Sequence, residues 1–188
     1  MKKAELLLLI LMAATFTASA RESLLDSLVN ACRKVESVEC GFVQTRRVSL
    51  MNGDIVSKGS LTYRKPDYLK WKYDTPETLT FEIDGNGVSV VREKDGGTTD
   101  VGNNRMYREL AKILLGAVSG DFIADSRLFK TEVTGDGKMV SARLVPVKGE
   151  LKRMWTSMTM NFDQVSYKAL SIDITEAGGN TTHIEFIY

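Results

Sequence analysis

The sequence predicts a mainly β (α+β) domain built on one large antiparallel sheet. Many short runs alternate apolar and polar residues, as strands with one buried face do, and Gly, Asn and Asp separate most of these runs. Helical periodicity appears in only two or three places, and the strands are not interleaved with helices as in βαβ units. We expect about ten or eleven strands, and an antiparallel sheet of that size tends to curl into a barrel or split into a sandwich.

The first 20 residues have the features of a removable signal peptide. Their start is basic, residues 6–16 are apolar except for Thr15, and residues 18–20 (Ala-Ser-Ala) fit the small-residue cleavage pattern. The apolar run is too short to span a bilayer. We therefore expect residues 1–20 to direct export and residues 21–188 to form a single domain.

The mature chain is predicted to be electrically neutral. The full chain has 25 basic and 24 acidic residues, and removal of two lysines and one glutamate with residues 1–20 leaves 23 of each sign. Nucleic-acid-binding proteins usually carry a basic excess, and proteins that bind acidic lipid surfaces carry a polybasic cluster. We therefore expect no nucleic-acid partner, and we interpret short basic groups such as Arg46-Arg47 as solvated strand ends.

The chain has two cysteines, Cys32 and Cys40, and a single histidine. In an exported protein the two thiols can form a disulfide, which would join the first helix to the first strand. They can equally be two small buried side chains, because free cysteine is among the most buried residue types. Two cysteines and one histidine are too few to predict a metal site, and we expect no cofactor.

An amphipathic helix of about 14 residues is predicted at the start of the mature chain. Polar residues occupy the other positions of the helical wheel, so the helix should lie on another element with one face exposed. Its apolar positions are Leu24, Leu25, Leu28, Cys32 and Val35.

Three alternating runs between Phe42 and Tyr73 predict an antiparallel meander. Asn52-Gly53 separates the first two runs, and this pair is typical of a two-residue type I′ hairpin turn. The turn sequence of residues 65–67 (Lys-Pro-Asp) separates the second run from the third, at residues 68–73.

Two more strands and a second helix are predicted after the meander. Residues 79–83 and 88–91 alternate and are joined by a Gly-rich turn at residues 84–87, and residues 95–97 turn again. Asn103 or Asn104 can cap the helix, and Phe122-Ile123 adds another turn of helix. The apolar face of the helix comprises Met106, Leu110, Ile113, Leu114 and Ala117.

Strands resume after this helix, and residues 151–155 are predicted as a loop or a turn of helix. Gly178-Gly179 joins the last two strands as a hairpin. The concave face of a curled, unclosed sheet is the simplest place for both helices to bury their apolar stripes. Such a sheet encloses either a packed core or a ligand cavity, and the pattern leaves both open. The predicted strands lie at residues 128–134, 140–144, 158–162, 170–174 and 182–186.

Several short motifs follow one another closely within residues 42–87. They are Phe42-x-Gln44, Asn52-Gly53, Gly59-x-Leu61-x-Tyr63, Lys65-Pro66-Asp67, Leu69-x-Trp71-x-Tyr73 and Ile83-Asp84-Gly85. This series resembles the LolA family, the periplasmic carriers of outer-membrane lipoproteins. The resemblance implies an incomplete, unclosed antiparallel β-barrel with two or three helices as a lid over an apolar cavity. It also implies a monomeric periplasmic chaperone that receives acylated lipoproteins from an inner-membrane ABC transporter and passes them to an outer-membrane receptor.

Such a carrier needs apolar surface that can open and close, and we predict no enzyme activity. Exposing an acyl chain to water costs about 0.8 kcal/mol per CH₂, so the chains must be shielded in transit. Each apolar residue assigned to the cavity also fits ordinary core packing. The predicted wall is Leu61, Tyr63, Leu69, Trp71, Tyr73, Phe81 and Ile83; the lid is Leu25, Leu28, Met106, Leu110, Ile113 and Leu114; the far wall is Met158, Met160 and Phe162.

The resemblance also implies a latch that holds the lid closed. Better-known family members place an Arg directly before the proline of the Lys-Pro-Asp turn, and here that residue is Lys65. The ammonium of a lysine cannot donate two parallel hydrogen bonds as the planar guanidinium of an arginine does, so Lys65 is predicted to hold the lid by different contacts from those of the family arginine.

Two alternative functions are compatible with the sequence. A binding protein of the same fold could sense lipids or mislocalised lipoproteins for a signalling partner. A lipid-ester hydrolase could use His183 as a base, but the chain has no Gly-x-Ser-x-Gly nucleophile elbow, and an exposed strand position also explains this histidine. The Asp-Gly-Asn-Gly sequence at residues 84–87 lacks the acidic spacing and closing Glu of a calcium loop.

Overall fold

The described part of the chain contains an antiparallel sheet of eleven strands, which confirms the predicted mainly β fold. The computed structural model describes residues 24–49, 52–85, 87–92, 97–100 and 115–188. The strands are β1 (Ser37–Arg47), β2 (Asp54–Arg64), β3 (Tyr68–Thr75), β4 (Leu79–Asp84), β5 (Gly87–Arg92), β6 (Gly97–Asp100), β7 (Phe129–Gly135), β8 (Met139–Pro146), β9 (Trp155–Asp163), β10 (Ala169–Glu176) and β11 (Thr181–Ile187).

Two meanders make up the sheet and meet at its centre. The strand order is β6-β5-β4-β3-β2-β1-β11-β10-β9-β8-β7, so β1 to β6 form one meander and β7 to β11 the other. The pairing of β1 with β11, from Gly41 opposite Ile187 to Arg47 opposite Thr181, joins the two. Among the described strands, β6 and β7 are edges that do not pair with each other, so the sheet is unclosed as predicted.

The described helical segments are short. Residues 24–33 form α1, residues 115–119 form α2, and α3 (Asp121–Ala124) follows directly. The region predicted as a loop or a turn of helix contains α4 (Gly149–Met154). In the part of the chain that the structure describes, none of the helices has the length and apolar character needed to cross a bilayer.

The buried side chains form two clusters, one under each meander. The first joins α1 to the β7–β10 half of the sheet, with Leu28, Val140 and Leu144 fully buried. The second lies on the β1–β5 half, around Phe42 and Leu69. The α2 segment connects the clusters, because Ala117 belongs to the first cluster, whereas Leu115 and Val118 pack against the second.

The predicted two-residue turn at Asn52-Gly53 is wrong. Arg47 pairs with Asp54 across the β1–β2 hairpin, so the connection between the two strands is longer than two residues. The strands extend this far because the Arg47 guanidinium donates to both carboxylate oxygens of Asp54, over 3.0 and 3.1 Å. A two-residue connection occurs instead between β4 and β5, where Asp84 pairs with Gly87.

Candidate ligand cavity

An apolar cavity of about 420 Å³ lies along the seam between the two clusters. Its lining combines Cys32, Met160 and Phe162 of the first cluster with Leu61 and Trp71 of the second. This volume falls within the ~300–1,000 Å³ range of small-molecule sites. The seam is therefore a place where an apolar ligand can contact both halves of the core.

Five of the predicted cavity residues line this space. Leu61 and Trp71 are paired neighbours on β2 and β3, so their side chains lie on the same face of the sheet. Met160 and Phe162 alternate along β9 and approach from the other half of the sheet. We call these five residues the cavity floor: Leu61, Leu69, Trp71, Met160 and Phe162.

Other predicted residues lie away from the described lining. Leu28, on α1, is fully buried in the first cluster, and Leu25 packs against the same cluster. Phe81 and Ile83 are buried in the second cluster because β4 is further from the seam. The residues that do not line the cavity are Leu25, Leu28, Tyr63, Tyr73, Phe81, Ile83 and Met158, while Met106, Leu110, Ile113 and Leu114 lie outside the described residues.

Sequence reasoning missed part of the lining. The apolar stripe of the predicted first helix already contained Cys32 and Val35, although α1 ends at residue 33, and this stripe was the available signal for that side of the cavity. The C-terminal strand contributes Phe186, which follows the alternation of β11. The additional apolar lining residues are Ala31, Cys32, Val35, Val38, Ala117, Val118, Ala169, Ile172 and Phe186, with Tyr167 and Tyr188 near the opening.

Aromatic rings stack in the β1–β3 wall. The Phe42 ring centroid lies 4.5 Å from that of Trp71 and 5.3 Å from that of Tyr73, the latter edge-on. Phe186 contacts Trp71 edge-on at 6.3 Å. The Tyr73 hydroxyl donates to Gln44 Oε1 over 3.0 Å, and its burial raises the pKa of Tyr73. This packing fixes the orientation of Trp71 at the cavity floor.

The opening of the cavity is polar and is organised by the β9–β10 turn. Asp163 Oδ1 accepts hydrogen bonds from the backbone N–H and the hydroxyl of Ser166, each over 2.7 Å. Lys168 Nζ lies 5.0 Å from the ring centroid of Tyr188, whose hydroxyl donates to the Ala169 carbonyl over 2.9 Å. Burial raises the pKa of Tyr188 to about 12, with a smaller contribution from Cys40.

The predicted latch residue contacts the C-terminal end of α1. Lys65 Nζ donates to the Arg33 carbonyl over 3.0 Å and to Glu36 Oε1 over 3.1 Å. A carbonyl in the last turn of a helix has no partner within the helix, so a lysine there provides both a hydrogen bond and a favourable charge. A second space of about 490 Å³ opens beside Lys65 and is lined by Tyr63 and Phe122 among others.

The two cysteines are buried free thiols, so of the two alternatives that the sequence left open, the structure has the buried thiols and not the disulfide. Cys32 belongs to the first cluster, where its side chain lies against Gly120, whereas Cys40 belongs to the second. Burial raises the pKa of each thiol to about 11, and both therefore stay protonated near neutral pH. Both act as small apolar residues, and Cys32 is the one that lines the cavity.

His183 lies on the outer face of the sheet. Its neighbour Ile184 is buried in the second cluster, so the His183 side chain points the other way. His183 Nδ1 is 2.7 Å from Asp173 Oδ1, and about half of each side chain is exposed. In the described part of the chain, the hydrogen-bond partner of this ring is Asp173 and not a serine hydroxyl. In the same part of the chain, no three His, Cys, Asp or Glu residues are grouped to hold a metal.

The comparisons with known proteins place these observations in a family. The family model described as outer membrane lipoprotein carrier protein LolA matches residues 33–188. A comparison with curated proteins gave no match. Solved structures similar to this chain include a LolA superfamily protein from Nitrosomonas europaea, with 6% identity over 87% of this chain and 91% of that chain and a TM-score of 0.47. They also include LprF from Mycobacterium bovis, with 13% identity over 89% of this chain and 91% of that chain and a TM-score of 0.45.

Proposed function

The chain belongs to the LolA family, and we propose that it is a periplasmic carrier that binds the acyl chains of lipoproteins and shields them in transit to the outer membrane. The observation that carries the proposal is the apolar cavity between the two halves of the core. In this role the protein acts by binding alone and performs no chemistry on its cargo.

The chemistry of the cavity floor suits an acyl chain. Leu61, Leu69, Trp71, Met160 and Phe162 are each at most 6% exposed, so the floor on which a chain would lie is apolar and shielded from water. Transfer of each CH₂ from water to such a site is favourable by about 0.8 kcal/mol. The unbranched, polarizable side chain of Met160 also adapts to chains of different shape.

The position of the cavity suits loading and release. It lies where α1 and α2 meet the sheet, so displacement of a helical segment would widen it without breaking strand pairing. In the proposed cycle an inner-membrane ABC transporter delivers the acylated lipoprotein, and an outer-membrane receptor accepts it. The protein carries the cargo as a monomer.

A cavity-filling variant tests the proposal. Val118 lines the cavity, and Val118→Trp should occupy the space that an acyl chain needs. The matched control is Val165→Trp, because Val165 is 88% exposed in the β9–β10 turn. Wild type and Val165→Trp should form a soluble complex with an acylated lipoprotein released from membranes by the transporter and ATP, whereas Val118→Trp should form little or none.

The second comparison uses the same lipoprotein without its acyl chains. This unacylated form should not bind wild type, as judged by size-exclusion chromatography of the mixture. Circular dichroism must show that Val118→Trp is folded; if it is not, the milder Val118→Phe takes its place. Equal binding of the acylated and unacylated proteins, or equal complex formation by a folded cavity-filling variant and wild type, would contradict the proposal.

A further inference from the structure

The cavity is amphipathic along its depth. Its apolar floor is buried, with Leu69 at 0% and Met160 at 2% exposure. Its polar lining residues are exposed and therefore mark the opening: Ser37 and Glu39 lie on β1, and Ser166 and Lys168 lie on the β9–β10 turn. A ligand with an apolar tail and a polar end would thus be oriented with its polar end at this opening.

Charge at the opening is divided between its two sides. Among the described lining residues, Lys168 is the cation and Glu39 the anion. Glu39 lies on β1 and Lys168 directly precedes β10, and β11 lies between these two strands, so the two backbones are about two strand spacings, roughly 10 Å, apart. The two side chains form no ion pair with each other, and an anion beside Lys168 would not have to displace Glu39.

The Lys168 ammonium makes no ion pair with any residue that the structure describes. Asp163 is close enough for Lys168 to contribute to its lowered pKa, but Asp163 Oδ1 already accepts three hydrogen bonds, from Ser166 N, Ser166 Oγ and Val165 N. The contact of Lys168 with the Tyr188 ring, 5.0 Å from its centroid, restrains the lysine side chain at the opening.

We propose that Lys168 is a headgroup-binding residue and that the cavity accepts single acyl chains that end in an anionic group, a carboxylate or a phosphate. This inference rests on the proposed acyl-chain cavity and adds a ligand class to it. The tail lies on the buried floor, and the anionic end stays at the hydrated opening beside the ammonium. A free fatty acid and a single-chain phospholipid share this chemistry.

The test compares ligands that share a tail and differ in charge. Hexadecanoate and hexadecyl phosphate are the anionic probes, and hexadecanol is the neutral probe. Binding is measured by titration below the micelle concentration of the two anionic probes and below the solubility limit of hexadecanol. The proteins are wild type, Lys168→Met, Lys168→Glu and the control Lys130→Met, which changes an exposed lysine of β7 outside the cavity lining.

Lys168→Met should weaken binding of both anionic probes about two- to fivefold, the range of an exposed ion pair. Lys168→Glu should weaken it further, and added salt should reduce the difference between wild type and Lys168→Met. Hexadecanol binding should be unchanged in every variant. If only one anionic probe loses affinity, the ligand class narrows to carboxylates or to phosphates.

Two outcomes would overturn the inference. In the first, Lys168→Met binds both anionic probes as tightly as wild type does. In the second, Lys168→Met loses as much affinity for hexadecanol as for the anionic probes, which would assign the effect to packing of the lysine stem. Binding of hexadecanol to wild type distinguishes failure of the Lys168 inference from failure of the carrier proposal. If hexadecanol binds wild type, the cavity accepts acyl chains whatever Lys168 does. If no probe binds, both proposals fail.

Discussion

At the scale of single residues, Gly59 shows why one motif position must be glycine. A Cβ atom there would collide with the Lys72 carbonyl oxygen and lie 2.7 Å from Phe42 Cζ. The register of the β2–β3 pair shifts between Lys58 and Gly59, so β3 approaches the glycine closely at this point. The absent side chain thus makes room for the aromatic packing behind the cavity floor.

We therefore expect Gly59→Ala to destabilise the protein. Overpacking against backbone and a buried ring costs about 1–3 kcal/mol, and denaturant unfolding monitored by circular dichroism measures it. The control is Gly178→Ala, because a Cβ at Gly178 meets no atom within 4 Å. If the two variants lose equal stability, the close approach at Gly59 is not the cause.

Asp163 controls the turn that presents Lys168. Hydrogen bonds from the Ser166 backbone N–H and hydroxyl hold the pKa of Asp163 below its ordinary value. A carboxyl whose pKa is lower in the folded state stabilises the fold above the unfolded-state pKa of about 3.9, and this contribution disappears as pH falls through the folded-state pKa.

Asp163→Ala should therefore lower the free energy of unfolding near neutral pH, and the difference from wild type should shrink below about pH 4. Urea denaturation at several pH values measures this trend. Asp26→Ala, at an exposed position of α1, serves as the comparison. A difference between wild type and Asp163→Ala that stays constant with pH would show that lost packing, and not the charged hydrogen bonds, causes the effect.

At the scale of elements, α1 is tied to the β2–β3 turn by Lys65. The lysine side chain is 43% exposed, so its two hydrogen bonds contribute little to global stability, within about 1 kcal/mol. Their effect should instead be local, because they hold the end of a helix that lines the cavity.

Lys65→Met should accelerate amide hydrogen exchange in residues 24–33 and speed release of a bound acyl chain, while the unfolding midpoint changes little. Lys65→Arg should restore much of the protection, because guanidinium can also donate to a helix-end carbonyl. Lys130→Met again serves as the control for loss of a surface charge. If α1 of Lys65→Met exchanges its amide hydrogens at the same rates as α1 of wild type, Lys65 is not a latch.

The sequence predicted the elements well where a local pattern determines them. Period-two alternation placed most of the strands, because alternate burial is a direct consequence of the pleat. It failed at Asn52-Gly53, where the Arg47–Asp54 ion pair extends the strands and leaves the turn pair at one end of a longer loop. Turn chemistry alone does not reveal how far cross-strand side-chain contacts prolong a hairpin.

The site was predictable only in part, since its location depends on how distant elements meet. Trp71 and Phe162 were identified because each strand shows which of its faces is inward. Periodicity gave Leu28 and Cys32 the same helical stripe, yet Leu28 is buried in the first cluster and Cys32 reaches the cavity. The distance of each residue along α1 from the seam is a tertiary property that no local pattern contains.

At the scale of the whole molecule, the cavity lies between two half-cores that each contain one of the two tryptophans. Trp71 belongs to the second cluster and lines the cavity, whereas Trp155 belongs to the first and lies outside the lining. A ligand at the seam contacts both half-cores, so its binding energy should stabilise the fold as a unit. At a ligand concentration of one hundred times Kd this stabilisation is about 2.7 kcal/mol.

Two single-tryptophan variants make this prediction measurable. In Trp155→Phe, which retains Trp71, an acyl ligand should change the emission maximum and protect the indole from acrylamide quenching. In Trp71→Phe, which retains Trp155, the same ligand should leave the spectrum almost unchanged and still raise the urea midpoint, provided that calorimetry confirms binding. Equal spectral changes in both variants would place the ligand elsewhere or indicate a global rearrangement. The ligand could instead raise the urea midpoint reported by Trp71 fluorescence in Trp155→Phe but not the midpoint reported by Trp155 fluorescence in Trp71→Phe. That result would show that the two half-cores unfold separately and that the ligand binds only one of them.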